Sequence, residues 1–262
     1  MDTNFLKYST NFDATVIQAI KDDLKTSDIS AERLTGGEFN YSYKVKTNEG
    51  YFIARIFRQR NSPVDGKLKW IEKQLSDHNI YHAKMIFYTR DTKFFPYGYM
   101  IQEFIEGKSG FDSIMNDSIS FEEFFNKEVI LLQKVHSIST QKFGDIHQGG
   151  IAEFNTYKDI NDSVHEFVFG HLQKLEKYDK DLKPCLLHGD PAPGNTIIKD
   201  DKEMILIDWD NAVSSSWIDE YAGLATRGAF MWQYHLPEEE RNIIIQKAFK
   251  NNYKGVDFNN PD

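Results

Sequence analysis

Residues 186–210 run LLHGDPAPGNTIIKDDKEMILIDWD. An apolar run, Cys185-Leu186-Leu187, leads into Asp190, and Pro191 and Pro193 follow it, so the carboxylate leaves a strand into a stiff loop. Asn195 comes after Gly194 and opens a second apolar stretch. A charged turn, Lys199-Asp200-Asp201-Lys202, then separates it from Met204-Ile205-Leu206-Ile207, a buried-looking strand that ends in Asp208. Singly, each polar residue has a plain explanation: a loop Asp capping its own turn, a turn Asn, a strand-end Asp. Their order, their spacing and the hairpin between them favour a joint one. A rigidly held carboxylate can take the proton of an attacking hydroxyl. An amide oxygen and a second carboxylate are hard ligands suited to Mg²⁺. Phosphoryl transfer from a nucleotide needs such a set.

Two neighbours extend the motif. His188, two residues before Asp190, is placed to bond backbone and brace the loop rather than to act as a base. Asp210, beside Asp208, is open to contact with metal, water or substrate, or to capping the next segment.

The 262 residues suffice for one large domain or two lobes, and 40% hydrophobic with 27% charged residues describes an ordinary globular chain. A formal charge of −9 argues against a nucleic-acid partner and would suit a cationic substrate. Cys185 is the single cysteine, which excludes an internal disulfide; its apolar neighbours make it a buried strand residue. The first residues, MDTNFLKYST, have no targeting pattern, and no apolar run approaches the ~20 residues of a membrane span. A cytoplasmic protein without a membrane partner is the expectation.

Upstream of the motif the chain reads as a meander. Asp13 is placed to cap a helix with Val16, Ile17, Ile20 and Leu24 on one face. Strand-like Tyr41–Val45 and Tyr51–Phe57 flank a turn at Asn48-Glu49-Gly50, and Gly36-Gly37 precede them. Ser62-Pro63 starts a helix carrying Leu68, Ile71 and Leu75. Two more strands, Ala83–Tyr88 and Tyr97–Ile105, follow. Glu106–Gly110 reads as a flexible connector, beyond which helical periods dominate: Phe121–Val135, Tyr157–Leu175, Ile218–Trp232 and Pro237–Phe249. The end, NNYKGVDFNNPD, reads as a frayed tail. The fold class expected is α+β and two-lobed. Residues 1–105 would form a β-rich N-lobe with a helix, covering a nucleotide, and 106–262 a mainly helical, catalytic and substrate-binding C-lobe. A cleft between lobes is a common ligand site.

The run from His188 to Asn195 followed by Ile207-Asp208-Trp209-Asp210 resembles the signature of the aminoglycoside phosphotransferase and choline kinase-like family, small-molecule kinases with a protein-kinase-like fold. The resemblance covers most of the chain. It implies Asp190 as catalytic base, Asn195 and Asp208 as Mg²⁺ ligands, and ATP or GTP as phosphate donor. Tyr99–Gly107 resembles the family's inter-lobe hinge, where backbone at Glu103 and Ile105 would meet the nucleobase. Leu131–Ser137 resembles the helix ending in a His-Ser pair, and Trp217–Ala222 the Asp-Leu-Ala element after the metal site, with Asp219 as its supporting acid. Arg55 stands where the resemblance expects a Lys or Arg on the α/β-phosphates, and Glu72 would pair with it. Gly36 and Gly37, with Asn40 and Ser42, can lay backbone N–H groups over phosphates, or form a plain hairpin turn.

The partner implied is a small-molecule hydroxyl acceptor. Acids (Asp159, Asp162, Glu166, Asp219, Glu220) would suit an aminated sugar; aromatics (Phe154, Tyr157, Trp217, Trp232, Tyr234) would stack on a choline-like cation or a sugar face. A nucleotide-binding regulatory module with little turnover stands as the alternative, left open by Arg55 and the modest glycine loop. A protein kinase is disfavoured: the chain has no Asp-Phe-Gly or Ala-Pro-Glu element.

Overall fold

The computed structural model describes residues 12–26, 28–34, 40–59, 65–147, 150–153, 183–226 and 236–253. They fall into two compact units. One comprises Met1–Glu72 with His82–Glu106, the other Lys73–Tyr81 with Gly107–Asp262.

In the first unit, β-branched and aromatic residues are frequent on both sides of the Asn48-Glu49 turn, alternating with polar ones in β2, so that segment pairs with itself. β2 (Asn40–Thr47) and β3 (Gly50–Phe57) are antiparallel neighbours from Thr47↔Gly50 to Asn40↔Phe57. With β1 (Ser30–Arg33), β4 (Met85–Thr89) and β5 (Tyr99–Glu103) they make a five-stranded antiparallel sheet in the order β1-β2-β3-β5-β4. Helix α1 (Phe12–Leu24) turns Val16, Ala19 and Ile20 into a core shared with Tyr43, Val45, Ala54, Ile56, Tyr99 and Ile101. Each large apolar side chain so buried contributes roughly 1.5–3 kcal/mol. Two tyrosines tie the helix down: the Tyr43 hydroxyl donates to Asp13 Oδ1 at 2.7 Å, and that of Tyr99 to the Ala19 carbonyl at 3.1 Å. Helix α2 (Asp65–Asp77), whose residues up to Glu72 belong to this unit, buries Leu68, Ile71 and Leu75 as their spacing predicts; its expected start at Ser62-Pro63 lies outside the described residues.

Among its described residues the second unit holds helices and two small sheets. The segment expected as a flexible connector is structured. Lys108–Ser109 form β6, paired with β10 (Thr196–Ile198), and the Ser109 hydroxyl caps α3 (Gly110–Met115) by accepting the Asp112 N–H at 3.0 Å. Gly107 allows this close approach: it has φ +156°, and a Cβ there would lie 2.6 Å from the Ile198 carbonyl oxygen. Helix α4 (Phe121–His136) starts at Ser120, whose hydroxyl accepts the Glu123 N–H at 3.1 Å, and buries Phe121, Phe124, Phe125, Val129, Leu132 and Val135. Helices α5 (Trp217–Thr226) and α6 (Glu238–Asn252) follow. The predicted helix over 157–175 lies outside the described residues, as do residues 227–232 of the third.

One small sheet runs β11-β10-β6, with β11 at Met204–Leu206. The other runs β8-β7-β12-β9, from Gly150–Glu153, Gly144–His147, Val213–Ser215 and Cys185–Leu187. Cys185 is buried, as expected, and burial pushes its thiol up to about 12, which makes it inert. Of the segment expected as a frayed tail, Asn251 and Asn252 close α6 and the Tyr253 ring stacks on Trp217 at 4.4 Å; residues 254–262 lie outside the described residues. Among the described residues no helix is long and apolar enough to cross a membrane.

Candidate active site

Two strand pairings assemble the motif within the second unit. The hairpin β10–β11 pairs Thr196 with Leu206, so Asn195 and Ile207 face each other just beyond its open end. The Ile207 N–H donates to the Asn195 carbonyl at 2.9 Å, and Asp208 follows immediately. Independently, β9 pairs with β12, Leu187 against Val213, so the chain leaving towards Asp190 runs beside the chain arriving from Asp208. The predicted strands and hairpin thus put Asp190, Asn195 and Asp208 in one neighbourhood.

Asn195 is oriented by Asp190. Its Nδ2 donates to the Asp190 carbonyl at 3.0 Å and to Asp190 Oδ2 at 3.1 Å. Two acceptors on that side fix the amide, because the oxygen would be repelled there. Oδ1 therefore points away from Asp190, as a cation ligand requires. Asp208 has φ +65° and ψ +64°, a left-handed conformation unfavourable for a residue with a Cβ. Strain of this kind, of order 1–3 kcal/mol, concentrates at functional sites. Asp210 sits half-buried in the short 3₁₀ turn Trp209–Asn211. Among the described residues no group of three or more His, Cys, Asp and Glu could hold a metal by itself. An amide and a carboxylate suit Mg²⁺, which keeps several water or phosphate oxygens in its shell.

His188 is fully buried and spans the two halves of the motif. Its Nδ1 accepts the Asp190 N–H at 3.3 Å, so Nε2 carries the proton donated to the Ile207 carbonyl at 2.9 Å. Its ring also meets the Trp209 ring, centroids 4.5 Å apart. With both nitrogens engaged, His188 braces the loop.

The acid that holds the loop from behind is Glu220, where Asp219 was expected. Glu220 Oε1 accepts the Gly189 N–H at 2.6 Å, and Oε2 accepts the His188 N–H at 3.3 Å. His136 Nε2 lies 2.7 Å from Oε2, and its Nδ1 lies 2.5 Å from the Tyr253 hydroxyl. Burial drives the Glu220 carboxyl upward, but the hydrogen bond and charge of His136 and the Gly189 N–H hold it below the ordinary carboxylate value. Asp219 instead bonds the Ser215 hydroxyl and is exposed. One residue turns a helix by 100°, which sends Asp219 to solvent and Glu220 inward. A signal was present: Glu220 lies on the stripe of Trp217, Tyr221 and Leu224.

Glu220, expected among the acids for an aminated sugar, is buried and committed to the loop and His136 instead; a second buried acid, Glu128, had no expected role. Glu128 falls on the apolar stripe of α4, four residues from both Phe124 and Leu132, and is fully buried. The Thr196 hydroxyl lies 3.0 Å from its Oε1.

In the first unit, Ser42 and Arg55 are direct cross-strand partners on β2 and β3, and the Arg55 side chain is buried. The expected Arg55–Glu72 pair is not formed. Glu72 Oε1 accepts the Met85 N–H at 3.2 Å and lies 3.9 Å from His82 Nε2. Sheet order gives the reason: Met85 starts β4, the edge strand, and β5 separates it from β3. Glu103 ends β5, its N–H bonded to the Lys84 carbonyl at 2.9 Å, and Ile105 is buried two residues later. Gly36, Gly37, Asp159, Asp162, Glu166, Phe154, Tyr157, Trp232 and Tyr234 lie outside the described residues.

A sheet-bearing first unit and a helical second unit that carries this loop define a protein-kinase-like phosphotransferase fold. Residues 30–258 match the phosphotransferase enzyme family, APH, and the chain belongs to that family. No curated protein matches it in sequence. Similar solved structures include choline kinase LicA from Streptococcus pneumoniae, 21% identical over 93% of this chain and 82% of that one, with a TM-score of 0.57. A thermostable mutant of aminoglycoside phosphotransferase APH(4)-Ia, in ternary complex with AMP-PNP and hygromycin B, is 14% identical over 93% and 84%, with a TM-score of 0.64. Spectinomycin phosphotransferase APH(9)-Ia, in complex with ADP and spectinomycin, is 16% identical over 93% and 80%, with a TM-score of 0.57. At these identities the likeness is one of fold.

Proposed function

We propose that the chain is a small-molecule kinase, moving the γ-phosphate of a nucleotide to a hydroxyl of an aminoglycoside or similar small metabolite. The observation that carries this is the Asp190–Asn195 bond at 3.1 Å, which sets a carboxylate and an outward-facing amide oxygen side by side, with Asp208 next in the pairing. Asp190 would orient the acceptor hydroxyl and take its proton. Asn195 and Asp208 would hold Mg²⁺, which when bound supplies charge to the nucleotide phosphates. Arg55 and the segment with Gly36, Gly37 and Ser42 would steady those phosphates, and backbone at Glu103 and Ile105 would meet the base. His188 fixes the loop, and Asp210 is a further acid at the metal position.

The adenine nucleotides bound by the aminoglycoside and spectinomycin phosphotransferases support ATP as the donor, with GTP as the alternative. The choline, hygromycin B and spectinomycin enzymes among the relatives support a small acceptor, and the charge of −9 suits a cationic one. The test is Mg²⁺-dependent ADP or GDP release across aminoglycosides, choline-like alcohols, sugars and amino-acid alcohols, beside Asp190→Ala. Stimulation by one class, lost in the variant, supports the proposal. Mg-nucleotide binding without stimulated release by any class points instead to the regulatory module.

A further inference from the structure

The loop from His188 to Thr196 is held at both ends by buried acids. Glu220 takes its first backbone N–H groups, and Glu128 meets its last side chain. The second contact is chemically unusual. The Thr196 hydroxyl has one proton and two neighbours that want it: Glu128 Oε1 at 3.0 Å and the Ala192 carbonyl at 3.2 Å. Ala192 also accepts the Asn195 N–H at 2.8 Å, closing the 3₁₀ turn that presents the Asn195 amide. Glu128 Oε2 is buried without a hydrogen-bond partner.

Counting hydrogens resolves the cluster. A carboxylate would leave a charged oxygen unpartnered in an apolar helix face, which is costly. A neutral carboxyl can donate its own proton to Thr196 Oγ1, and Thr196 then donates to Ala192. The chain Glu128→Thr196→Ala192 satisfies every hydrogen and ties α4 to the turn between Asp190 and Asn195. Burial pushes the Glu128 carboxyl up to about 8, assisted by the charge of Glu220 and opposed by Thr196 only where its hydroxyl donates to a carboxylate, in keeping with a protonated group.

We propose that Glu128 is a positioning residue for phosphoryl transfer, setting through Thr196 and Ala192 the turn that places Asn195 beside Asp190. The inference rests on the kinase reading, because it assigns Glu128 to the geometry of that site. Nothing in the contact requires substrate: the residue acts through the loop.

Full-length E128Q, E128A, T196V and the double variant E128M/T196V test it. Three readouts are needed: thermal melting, ADP release with Mg·ATP and an acceptor active in the panel (or with water alone), and amide hydrogen exchange over residues 188–198. E128Q keeps a neutral donor and should keep kcat within about threefold. E128A and T196V should lose kcat by roughly 10–100-fold with little change in KM for ATP, as expected when a supporting group is removed. Exchange in the loop should rise in both. E128M/T196V removes both polar partners, so it should melt near wild type while kcat stays low. Recovery of kcat together with the melt would reduce Glu128 to a structural role and overturn the proposal. So would unchanged loop exchange in folded E128A or T196V, or an E128Q as impaired as E128A. If the wild type turns over no nucleotide while exchange still follows the expected order, the kinase reading falls but the link from Glu128 to the loop stands.

Discussion

Gly189 lies so close to Asn211 that a Cβ placed on it would stand 2.0 Å from the Asn211 carbonyl oxygen. Its φ of +81° adds a conformation that L side chains avoid. This contact seats the start of the Asp190 loop on the turn that follows Asp208. Gly194, in the same loop, has no atom within 4 Å of the equivalent position. Gly189→Ala should therefore destabilise by more than about 2 kcal/mol, and Gly194→Ala by under about 1 kcal/mol. Urea unfolding of both variants checks this, and equal midpoints would contradict the packing described.

Asp190 and Asp208 should separate by function. Asp190→Ala should lower turnover at least about 100-fold while Mg·AMP-PNP still binds. Asp208→Ala should weaken Mg²⁺-dependent AMP-PNP binding itself, by at least about tenfold. Calorimetric titration with and without Mg²⁺ distinguishes the two, and a fully active Asp190→Ala enzyme would sink the assignment.

Glu220 should matter most on the acid side. Its folded-state carboxyl titrates below the ordinary value, so its contribution is present above the unfolded value of 4.5 and is lost as pH falls through the lower, folded one. Glu220→Gln should flatten the loss of stability below about pH 4.5. Glu220→Ala, which removes the acceptor of the His188 and Gly189 N–H groups and of His136, should cost about 3 kcal/mol or more at neutral pH. Melting curves across the acid range supply the comparison.

Glu128 should act with the opposite sign. Burial raises its carboxyl from 4.5 to about 8, so the folded protein keeps a proton that the unfolded chain releases. Its contribution is full below pH 4.5 and declines as pH rises to about 8. Wild type should therefore lose more stability than Glu128→Gln between pH 5 and pH 8, on the order of 1 kcal/mol or more. Parallel urea midpoints across that range would show that the carboxyl is not held neutral.

Tyr253 links the last helix to the loop through His136 and Glu220. Tyr253→Phe keeps the stack on Trp217 and loses only the hydrogen bond to His136, a cost of about 1 kcal/mol. Tyr253→Ala loses both and should cost about 3 kcal/mol. Thermal melts of the pair check the ranking.

Much of this was legible in the sequence because it is local. Runs rich in β-branched and aromatic residues on both sides of Asn48-Glu49 specify a hairpin, and the stripes of α1 and α4 specify helices, from contacts a few residues apart. The grouping of Asp190, Asn195 and Asp208 was legible for the same reason: one short hairpin, β10–β11, sets the distance between the last two.

Tertiary structure decided what depends on distant partners. Glu72 was expected on Arg55, but the order β3-β5-β4 carries the Met85 N–H to it instead. Asp219 was expected as the supporting acid, but the rotation of α5 turns Glu220 to the loop, where His136, 84 residues away, makes its buried charge tolerable. Lys108–Ser109 read as a loose connector until β10 supplied a strand to pair with. Glu128 and Thr196, 68 residues apart, carry no local mark of their pairing. A buried polar group is stable only with its partner in place, and that partner is chosen by how helices and strands pack, beyond the reach of a local pattern.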